Sequence, residues 1–184
     1  WSRGEELVTD KYPEFEKFIG VIPNGTVIDG EILPFPKGGI GTFNDLQTRI
    51  GRKNVTAALL KKVPVILKAY DILEWEGEDI RQLPFVERRE ILEHLFKNVT
   101  EQSQSEDIER SRSEVTERSR SDVPLHLSKT MYFNSWEEMA EERDRSREMH
   151  SEGLMIKRKD SPYLVGRKKG DWWKWKVDPL TIDA

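Results

Sequence analysis

The sequence predicts a mixed α+β domain, and two kinds of pattern support that prediction. Short runs rich in Val, Ile and Leu indicate strands at residues 26–33 and 64–73, and a further strand is predicted at residues 125–133. Apolar residues at helical spacing indicate helices between these strands. At 184 residues, the chain is long enough to bury a sizeable core as one domain.

Three helices are predicted in the first half of the chain. Residues 10–20 have the apolar spacing of a short helix, and Gly20 ends it. Its apolar residues are Phe15, Phe18 and Ile19. Thr42 is placed to cap a second helix, and residues 56–62 form a third. The second helix carries Phe43, Leu46 and Ile50.

Two longer helices are predicted in the second half. Pro84 suits the start of a helix because the first helical position needs no backbone N–H. The apolar residues of this helix are Val86, Ile91, Leu92 and Leu95. Ser135 and Glu138 have the spacing of a capping box, which predicts a helix through about His150.

Residues 98–122 interrupt the pattern. Glu-Arg-Ser-Arg-Ser occurs twice, starting at Glu109 and Glu117, and the apolar residues are Val99, Ile108 and Val115. Such a segment cannot bury enough apolar surface to offset its ordering entropy, so a flexible insert is expected, with a polar surface helix as the alternative. Seven acidic residues against four arginines make an RNA-binding Arg-Ser segment a weak interpretation.

Two short strand-like runs near the end of the chain carry the most distinctive residues. In residues 172–176, side chains two apart share a face, so Lys174 and Lys176 point the same way. Trp173 and Trp175 are predicted to form the opposite, buried face. The other run, residues 152–157, begins with a carboxylate and ends with a lysine. One carboxylate and two same-face lysines suit a nucleoside triphosphate and its metal.

Composition excludes several classes of protein. The chain has no cysteine, which excludes cysteine catalysis, disulfide scaffolds and zinc-thiolate sites. No apolar run approaches the roughly 20 residues needed to cross a bilayer, and no signal-peptide pattern is present. The three histidines lack metal-ligand spacing.

The net charge of −4 does not exclude a nucleic-acid partner, because the charge is unevenly distributed. Residues 157–176 contain eight basic and two acidic side chains, with aromatic residues between them. A solvated charged loop is the alternative interpretation of this cationic segment.

Motifs in five separated segments, in this order, resemble those of the ATP-dependent DNA ligases. The segments are Ser2-Arg3 with Glu5 and Glu6, Asp29-Gly30-Glu31, Tyr70-Asp71-Ile72-Leu73 with Trp75-Glu76-Gly77, Glu152-Gly153-Leu154-Met155-Ile156-Lys157, and Trp173-Lys174-Trp175-Lys176. The resemblance covers nearly the whole chain apart from the serine-rich insert. The bacterial ligases whose fifth motif reads Gly-Asp-Trp-Trp-Lys-Trp-Lys-Val-Asp-Pro match it at residues 170–179.

The resemblance implies a fold and a reaction. The fold is an α+β, ATP-grasp-like nucleotidyltransferase core of antiparallel sheets flanked by helices, with the nucleotide between them. The reaction seals nicks in duplex DNA in three steps. A lysine takes AMP from ATP, the AMP passes to a 5′-phosphate, and the adjacent 3′-hydroxyl displaces it. ATP and Mg²⁺ are the cofactors that this chemistry requires.

The resemblance also assigns roles to individual residues. Glu31 and Glu152 would hold Mg²⁺ and the ribose hydroxyls, since carboxylate oxygens suit that ion. Lys174 and Lys176 would stabilise charge at the α-phosphate. The remaining assignments by resemblance are Tyr70 to the adenine, Lys157 to the nucleotide and Arg3 to a template-strand phosphate. Lys168 and Lys169 are expected to contact DNA phosphates because they lie in the cationic segment. A regular strand would place Lys157 and Glu152 on opposite faces.

One family motif does not occur in these 184 residues. Lys-x-Asp-Gly, whose lysine forms the covalent adenylate, is missing, and the two Lys-x-Asp triplets are followed by Trp172 and Pro179. The chain is therefore expected to be a partial adenylation domain, inactive alone, without the upstream nucleophile segment and the downstream oligonucleotide-binding barrel.

Other functions share part of this pattern. An RNA ligase or a capping-type nucleotidyltransferase would use the same chemistry, and a noncatalytic nucleic-acid-binding fragment needs no nucleophile. The wording of residues 152–157 and the tryptophan-flanked fifth motif favour a DNA ligase. The expected protein is a monomer of the bacterial cytoplasm, associated with the nucleoid and acting in DNA repair, recombination and replication, without a membrane partner.

Overall fold

A mixed four-stranded sheet forms the centre of the molecule in a computed structural model. The model describes residues 1–52, 54–110, 124–148, 151–166 and 168–178, with the backbone alone at residues 100–110. The strands are β1 (Val27–Pro34), β2 (Val65–Trp75), β3 (Glu78–Asp79) and β4 (Leu125–Leu127). β1 and β3 pair antiparallel to β2, whereas β4 pairs parallel to it.

The long helix α3 (Phe85–Arg110) packs against this sheet. Leu92, Leu95 and Val99 lie three or four positions apart, so they share one face of the helix, and each is at most 3% exposed. The hydrophobic core formed by α3 and the sheet contains seven buried residues, namely Ala69, Ile72, Ile80, Leu92, Leu95, Val99 and Leu125. This apolar contact is the main core of the fold.

A second, two-stranded antiparallel sheet carries the end of the described chain. β5 (Gly153–Lys157) pairs with β6 (Trp172–Lys176), with Lys157 opposite Trp172 and Met155 opposite Lys174. Helix α4 (Trp136–Asp144) contacts β5, and a 3₁₀ turn (Arg145–Arg147) follows it. Ser135 caps α4 by accepting from the Glu138 backbone N–H, as predicted. The Glu138 carboxylate accepts from the Asn134 N–H rather than from Ser135, so the predicted capping box is incomplete, and the α-helix ends at Asp144 rather than continuing towards His150.

Helices α1 (Phe43–Ile50) and α2 (Ala57–Lys62) lie between β1 and β2 in sequence, and each begins at a threonine cap. Thr42 forms a complete capping box with Asp45. α1 buries Leu46 in a small cluster with Tyr12 and Val65.

The N-terminal helix prediction is wrong in type. Residues 9–18 form two 3₁₀ helices, Thr9–Lys11 and Pro13–Phe18, in place of one α-helix. A third 3₁₀ turn follows at Pro36–Gly38. Pro13 starts the second turn and has no N–H for an α-helical bond to the preceding turn. Ile19, expected on the apolar face, is 81% exposed.

Two predictions in the second half also change. The strand expected at residues 125–133 ends at Leu127, where pairing to β2 stops at Ala69. The first part of the predicted insert belongs to α3, which continues to Arg110, so the polar-helix alternative describes residues 98–110. Val99 within it belongs to the core. Residues 111–122 and His150 lie outside the described residues.

Over the part of the chain that the structure describes, no helix is both long and apolar enough to cross a membrane.

Candidate nucleotide site

A buried ion pair joins the two sheets. The Nζ atom of Lys157, at the end of β5, lies 3.1 Å from Oδ2 of Asp71 on β2. The Lys157 side chain is 8% exposed and that of Asp71 is 0% exposed. Removing two charges from water is costly, so such a pair persists only with further hydrogen bonds around it.

Arg88 of α3 supplies those further bonds. Its Nε atom donates to Asp71 Oδ1 at 2.8 Å and its Nη2 atom donates to Oδ2 at 3.1 Å, so the guanidinium binds the carboxylate in a bidentate manner. Its Nη1 atom donates to the backbone carbonyls of Leu83 and Ser161. The Arg88 side chain is fully buried. Asp71 is therefore held by two cations from two different elements.

A bulge in β2 explains how neighbouring residues reach the same lysine. Asp71 is opposite Asp29 of β1 and Ala69 is opposite Gly30, so Tyr70 is an extra residue without a partner in register. A bulge breaks the regular alternation of faces and redirects side chains. Asp71 and the ring of Tyr70 consequently both contact Lys157.

Asp29 is the second carboxylate at this junction. Tyr70 donates to its Oδ1 atom at 3.0 Å, and Tyr163, from the segment after β5, donates to its Oδ2 atom at 2.7 Å. The pKa of each tyrosine is raised above its ordinary value, mainly by burial and also by the Asp29 charge. Both phenols therefore remain protonated donors at neutral pH.

Three aromatic rings surround the Lys157 ammonium. Its Nζ atom lies 3.9 Å from the ring centroid of Trp172, 4.6 Å from that of Phe85 and 5.1 Å from that of Tyr70. The ring faces attract a cation. Burial lowers the pKa of Lys157 from its ordinary value, and Asp71 opposes that shift.

The segment between β5 and β6 is tied down beside this lysine. Val86 of α3 donates its N–H to the Lys159 carbonyl at 2.9 Å, and Tyr163 donates its N–H to the Arg81 carbonyl at 2.7 Å. The indole of Trp172 donates to Ser161 Oγ at 3.0 Å. We call the junction of the two sheets the polar seam, defined by Asp29, Tyr70, Asp71, Arg88, Lys157 and Tyr163.

Comparison with known proteins decides the family. The family described as ATP dependent DNA ligase domain matches residues 1–176. The chain belongs to this family. All residues of the polar seam lie inside the matched range.

Individual relatives are bacterial and archaeal DNA ligases. The chain is 31% identical over its full length to a probable DNA ligase of Koribacter versatilis and 29% identical to a DNA ligase of Archaeoglobus fulgidus. It spans 32% and 29% of these proteins, about a third of their length. Mycobacterial DNA ligase D, solved with ATP and MES, has the same fold, with a TM-score of 0.61 and 23% identity over 95% of this chain and 46% of that one.

The structure places five of the nine predicted site residues on strands of the two sheets, namely Glu31, Tyr70, Lys157, Lys174 and Lys176. Of the predicted site residues, Tyr70 and Lys157 meet in the polar seam. Arg3 is exposed but lies near enough to oppose the rise in the Tyr70 pKa. Lys174 lies two residues beyond Trp172 on β6, on the face that carries Lys157.

The two predicted carboxylates, Glu31 and Glu152, are both exposed and lie in different segments of the fold. Glu31 is exposed on β1, opposite Lys68 of β2. Glu152 is exposed just before β5 and forms an ion pair with Lys176 at 2.6 Å, which lowers the pKa of Glu152. No group of three or more metal-binding side chains occurs among the residues that the structure describes.

The remaining predictions concern the surface. Lys168 and Lys169 are exposed, as a DNA contact would require. The buried tryptophan face is wrong for Trp173, which is 47% exposed. Trp175 is half-buried, against Trp136 at 6.0 Å and under Arg143 at 4.8 Å, because α4 covers only that end of the ribbon.

Sequence reasoning missed four members of the polar seam as site residues. These are Asp29, Asp71, Arg88 and Tyr163. Regular strand alternation would turn Asp71 away from Tyr70, and only the bulge brings them to one side. A signal for Arg88 existed, because an arginine at i−3 and i−4 to the core residues Ile91 and Leu92 lies on the buried face of its helix.

Proposed function

We propose that this chain binds the nucleotide and the phosphates of the nicked DNA in an ATP-dependent DNA ligase that seals breaks in duplex DNA. One observation carries the proposal: residues from three family motifs, far apart in sequence, converge in the polar seam. Asp29 and Tyr70 are hydrogen-bonded, and Lys157 contacts the Tyr70 ring. The family match over residues 1–176 supports the same conclusion.

Each side chain has a task that its position supports. Tyr70 offers a ring held in place by Asp29, on which an adenine can stack. Lys174 and Lys176 present exposed ammonium groups on the face that carries Lys157, where they can stabilise charge at an α-phosphate. These lysines act as fixed charges and transfer no proton.

Glu31 and Glu152 have the oxygen donors that Mg²⁺ prefers. Both carboxylates are exposed, and this ion is commonly held by one or two carboxylates together with substrate phosphates. The ion would neutralise charge on the phosphates. Oε2 of Glu152 is paired with Lys176, so this ion pair would compete with a metal for the carboxylate.

Arg3, Lys168 and Lys169 are proposed to contact DNA phosphates. All three are exposed, and the two lysines lie in the cationic segment at residues 157–176. Contacts of this kind position a duplex without reading its sequence. We propose that a monomer binds the nicked duplex, and sedimentation of the chain with and without DNA tests this. In cells, we place this activity at the bacterial nucleoid.

Adenylation provides the central experiment. The 184-residue chain is expected to form no covalent AMP adduct, whereas a protein with a Lys-x-Asp-Gly segment joined ahead of Trp1 should form one with ATP and Mg²⁺. Denaturing gels and mass spectrometry detect the adduct. In the extended protein, Glu152→Ala or Lys174→Ala should slow its formation roughly 10²-fold. Lys61→Ala on the exposed surface of α2 is the matched control.

Three outcomes would count against the proposal. An adduct on the 184-residue chain would mean that another lysine is the nucleophile. Failure of the extended protein to form an adduct would reject the ligase function. Equal slowing by Lys61→Ala would show that the effect of Lys174→Ala is not local.

DNA binding tests the cationic segment separately. Affinity for a nicked duplex should fall steeply with salt, because neutralised phosphates release counterions on binding. Charge reversal of Lys168 and Lys169 to Glu should weaken binding to all sequences alike, and the same reversal of Lys61 and Lys62 is the control. A salt-independent affinity, or a loss confined to one sequence, would contradict the proposed contact.

A further inference from the structure

Arg88 has no motif role, yet its contacts lead directly to Lys157. Asp71 divides its carboxylate between the two cations: Oδ1 accepts from Arg88 Nε at 2.8 Å, and Oδ2 accepts from Lys157 Nζ at 3.1 Å. Oδ2 also accepts from Arg88 Nη2 at 3.1 Å. The Ile72 N–H completes the set at Oδ1, at 3.0 Å. A carboxylate bound on both oxygens cannot rotate freely.

Arg88 is itself held in place at its far end. Nη1 donates to the Leu83 carbonyl at 2.5 Å and to the Ser161 carbonyl at 3.1 Å. One guanidinium therefore connects the start of α3, the strand β2 and the segment that follows β5. The guanidinium is therefore held by backbone carbonyls, and the side chain is shielded from solvent.

We propose that Arg88 is a positioning residue that acts through Asp71 to fix the Lys157 ammonium at the polar seam. The NMR test of this proposal is independent of the proposed function, and only the adenylation test rests on it. Lys157 ends β5 opposite Trp172, on the face that carries Lys174 and Lys176. The direction of its ammonium therefore decides whether that face has a third cation in a fixed place.

The expected pKa of Lys157 depends on the charged and titratable groups around it. Asp71 and Asp29 favour the ammonium form, and Arg88 disfavours it. Tyr70 and Tyr163 stay neutral because their pKa values are raised. Removing Asp71 should therefore lower the pKa of Lys157, whereas removing the Arg88 charge should raise it. Opposite signs are not expected from a general loosening of the fold.

The chain provides a matched control in Arg49. This arginine is also fully buried, grips Glu14 through two nitrogens and donates to backbone carbonyls. It has no contact with the polar seam among the bonds found in the described residues. Arg49→Met should lower stability without changing the titration of Lys157.

The first experiment measures Lys157 itself in the 184-residue chain. Lysine labelled with ¹³C at Cε is incorporated, Lys157→Arg assigns its signal, and NMR follows the signal with pH. The variants are Asp71→Asn, Arg88→Met and Arg49→Met. Asp71→Glu and Arg88→Lys serve as milder variants if the first two do not fold. Asp71→Glu should displace the Lys157 signal, and Arg88→Lys should displace it while keeping its pKa nearer that of the wild type.

The expected pattern is a lower Lys157 pKa in Asp71→Asn, a higher one in Arg88→Met and none of these changes in Arg49→Met. Equal shifts in Arg88→Met and Arg49→Met would overturn the proposal, as would an unchanged Lys157 in Asp71→Asn. With the milder variants, an unmoved signal in both would overturn it.

A second readout separates this inference from the proposed function. In the adduct-forming extended protein, Arg88→Met should reduce the rate of adenylation by up to about 10²-fold, since small misplacements of a binding group have effects of that size. The alkaline limb of its pH profile should move with the Lys157 pKa. If NMR gives the expected pattern but adenylation is unchanged, the positioning inference stands and the nucleotide role of Lys157 fails.

Discussion

Arg49 and Arg88 are both fully buried arginines that grip a carboxylate through two nitrogens, yet they connect different parts of the molecule. Arg49 joins α1 to the N-terminal 3₁₀ region, with Nη1 2.6 Å from Glu14 Oε1 and further bonds to the Lys11 carbonyl. Arg88 reaches Ser161, which is 73 positions away in sequence.

The two carboxylates differ more than the two arginines. Glu14 is 17% exposed and pairs with one cation, whereas Asp71 is 0% exposed and pairs with two. Water can reach Glu14 if its partner is removed, but it cannot reach Asp71 without opening the seam. Similar ion pairs therefore have different consequences: the first fastens a terminal segment, and the second links two sheets and a family motif.

The largest expected effect follows from removing Asp71. Asp71→Ala leaves Arg88 and Lys157 buried without their carboxylate, and breaking a buried pair in this way costs about 3–5 kcal/mol. Glu14→Ala should cost about 1–3 kcal/mol, because Arg49 keeps its carbonyl acceptors. Urea unfolding followed by circular dichroism measures both. Equal losses would remove the distinction between the two clusters.

A smaller effect tests whether the second cation matters. In a Lys157→Met background, Asp71→Ala should cost roughly 1–3 kcal/mol less than in the wild type, since one of the two orphaned charges is gone. Lys11→Met lies beside the Arg49 cluster and serves as the control background for Glu14→Ala. A double-mutant cycle from urea unfolding gives both coupling energies. Additive losses at Asp71 and Lys157 would contradict the shared-carboxylate geometry.

Local signals predicted most of the elements correctly. The threonine caps of α1 and α2 follow from short-range rules, as do the strands β1 and β2, with their Val, Ile and Leu residues. The α-helix predicted at residues 10–20 is wrong because Pro13 interrupts it. Ile19, which the apolar spacing placed on the buried face, is exposed. The parallel pairing of β4 depends on a long connection from α3, which no local pattern encodes.

The candidate site was predicted by motif resemblance rather than by geometry. Tyr70 and Lys157 were identified because they lie in recognisable segments. Asp71 and Arg88 were missed because a bulge and a helix start, 17 positions apart, bring them together. Regular alternation predicts the wrong face for Asp71, so its role becomes visible only in three dimensions.

A pH-dependent comparison of tyrosines gives a third, smaller effect. Burial raises the pKa of Tyr163 and of Tyr12 above 10.0, but Asp29 raises that of Tyr163 further, whereas Arg49 opposes the rise at Tyr12. A raised folded-state pKa gives stability that is present below pH 10 and is lost as pH rises above it.

Tyr163→Phe should therefore flatten the alkaline loss of stability more than Tyr12→Phe does. Urea midpoints between pH 9 and 11, roughly one unit either side of the ordinary tyrosine pKa, provide the measurement. The same flattening in both variants would mean that Asp29 does not distinguish the polar seam from the Arg49 cluster.

The smallest effect is expected at an exposed ion pair that has similar bonds but no burial. Arg81 grips Asp79 with Nε 2.9 Å from Oδ1 and Nη2 2.6 Å from Oδ2, while the two side chains are 39% and 48% exposed. These bonds lower the pKa of Asp79 from 3.8 to about 2. A lowered carboxylate pKa gives stability that is present above pH 3.8 and is lost as pH falls towards 2. Because water screens this pair, Arg81→Ala should leave Tm at pH 7 nearly unchanged while returning the Asp79 pKa, measured by NMR, towards 3.8. A fall in Tm as large as that of Asp71→Ala would show that two-point geometry, and not burial and a second cation, sets the strength of these pairs.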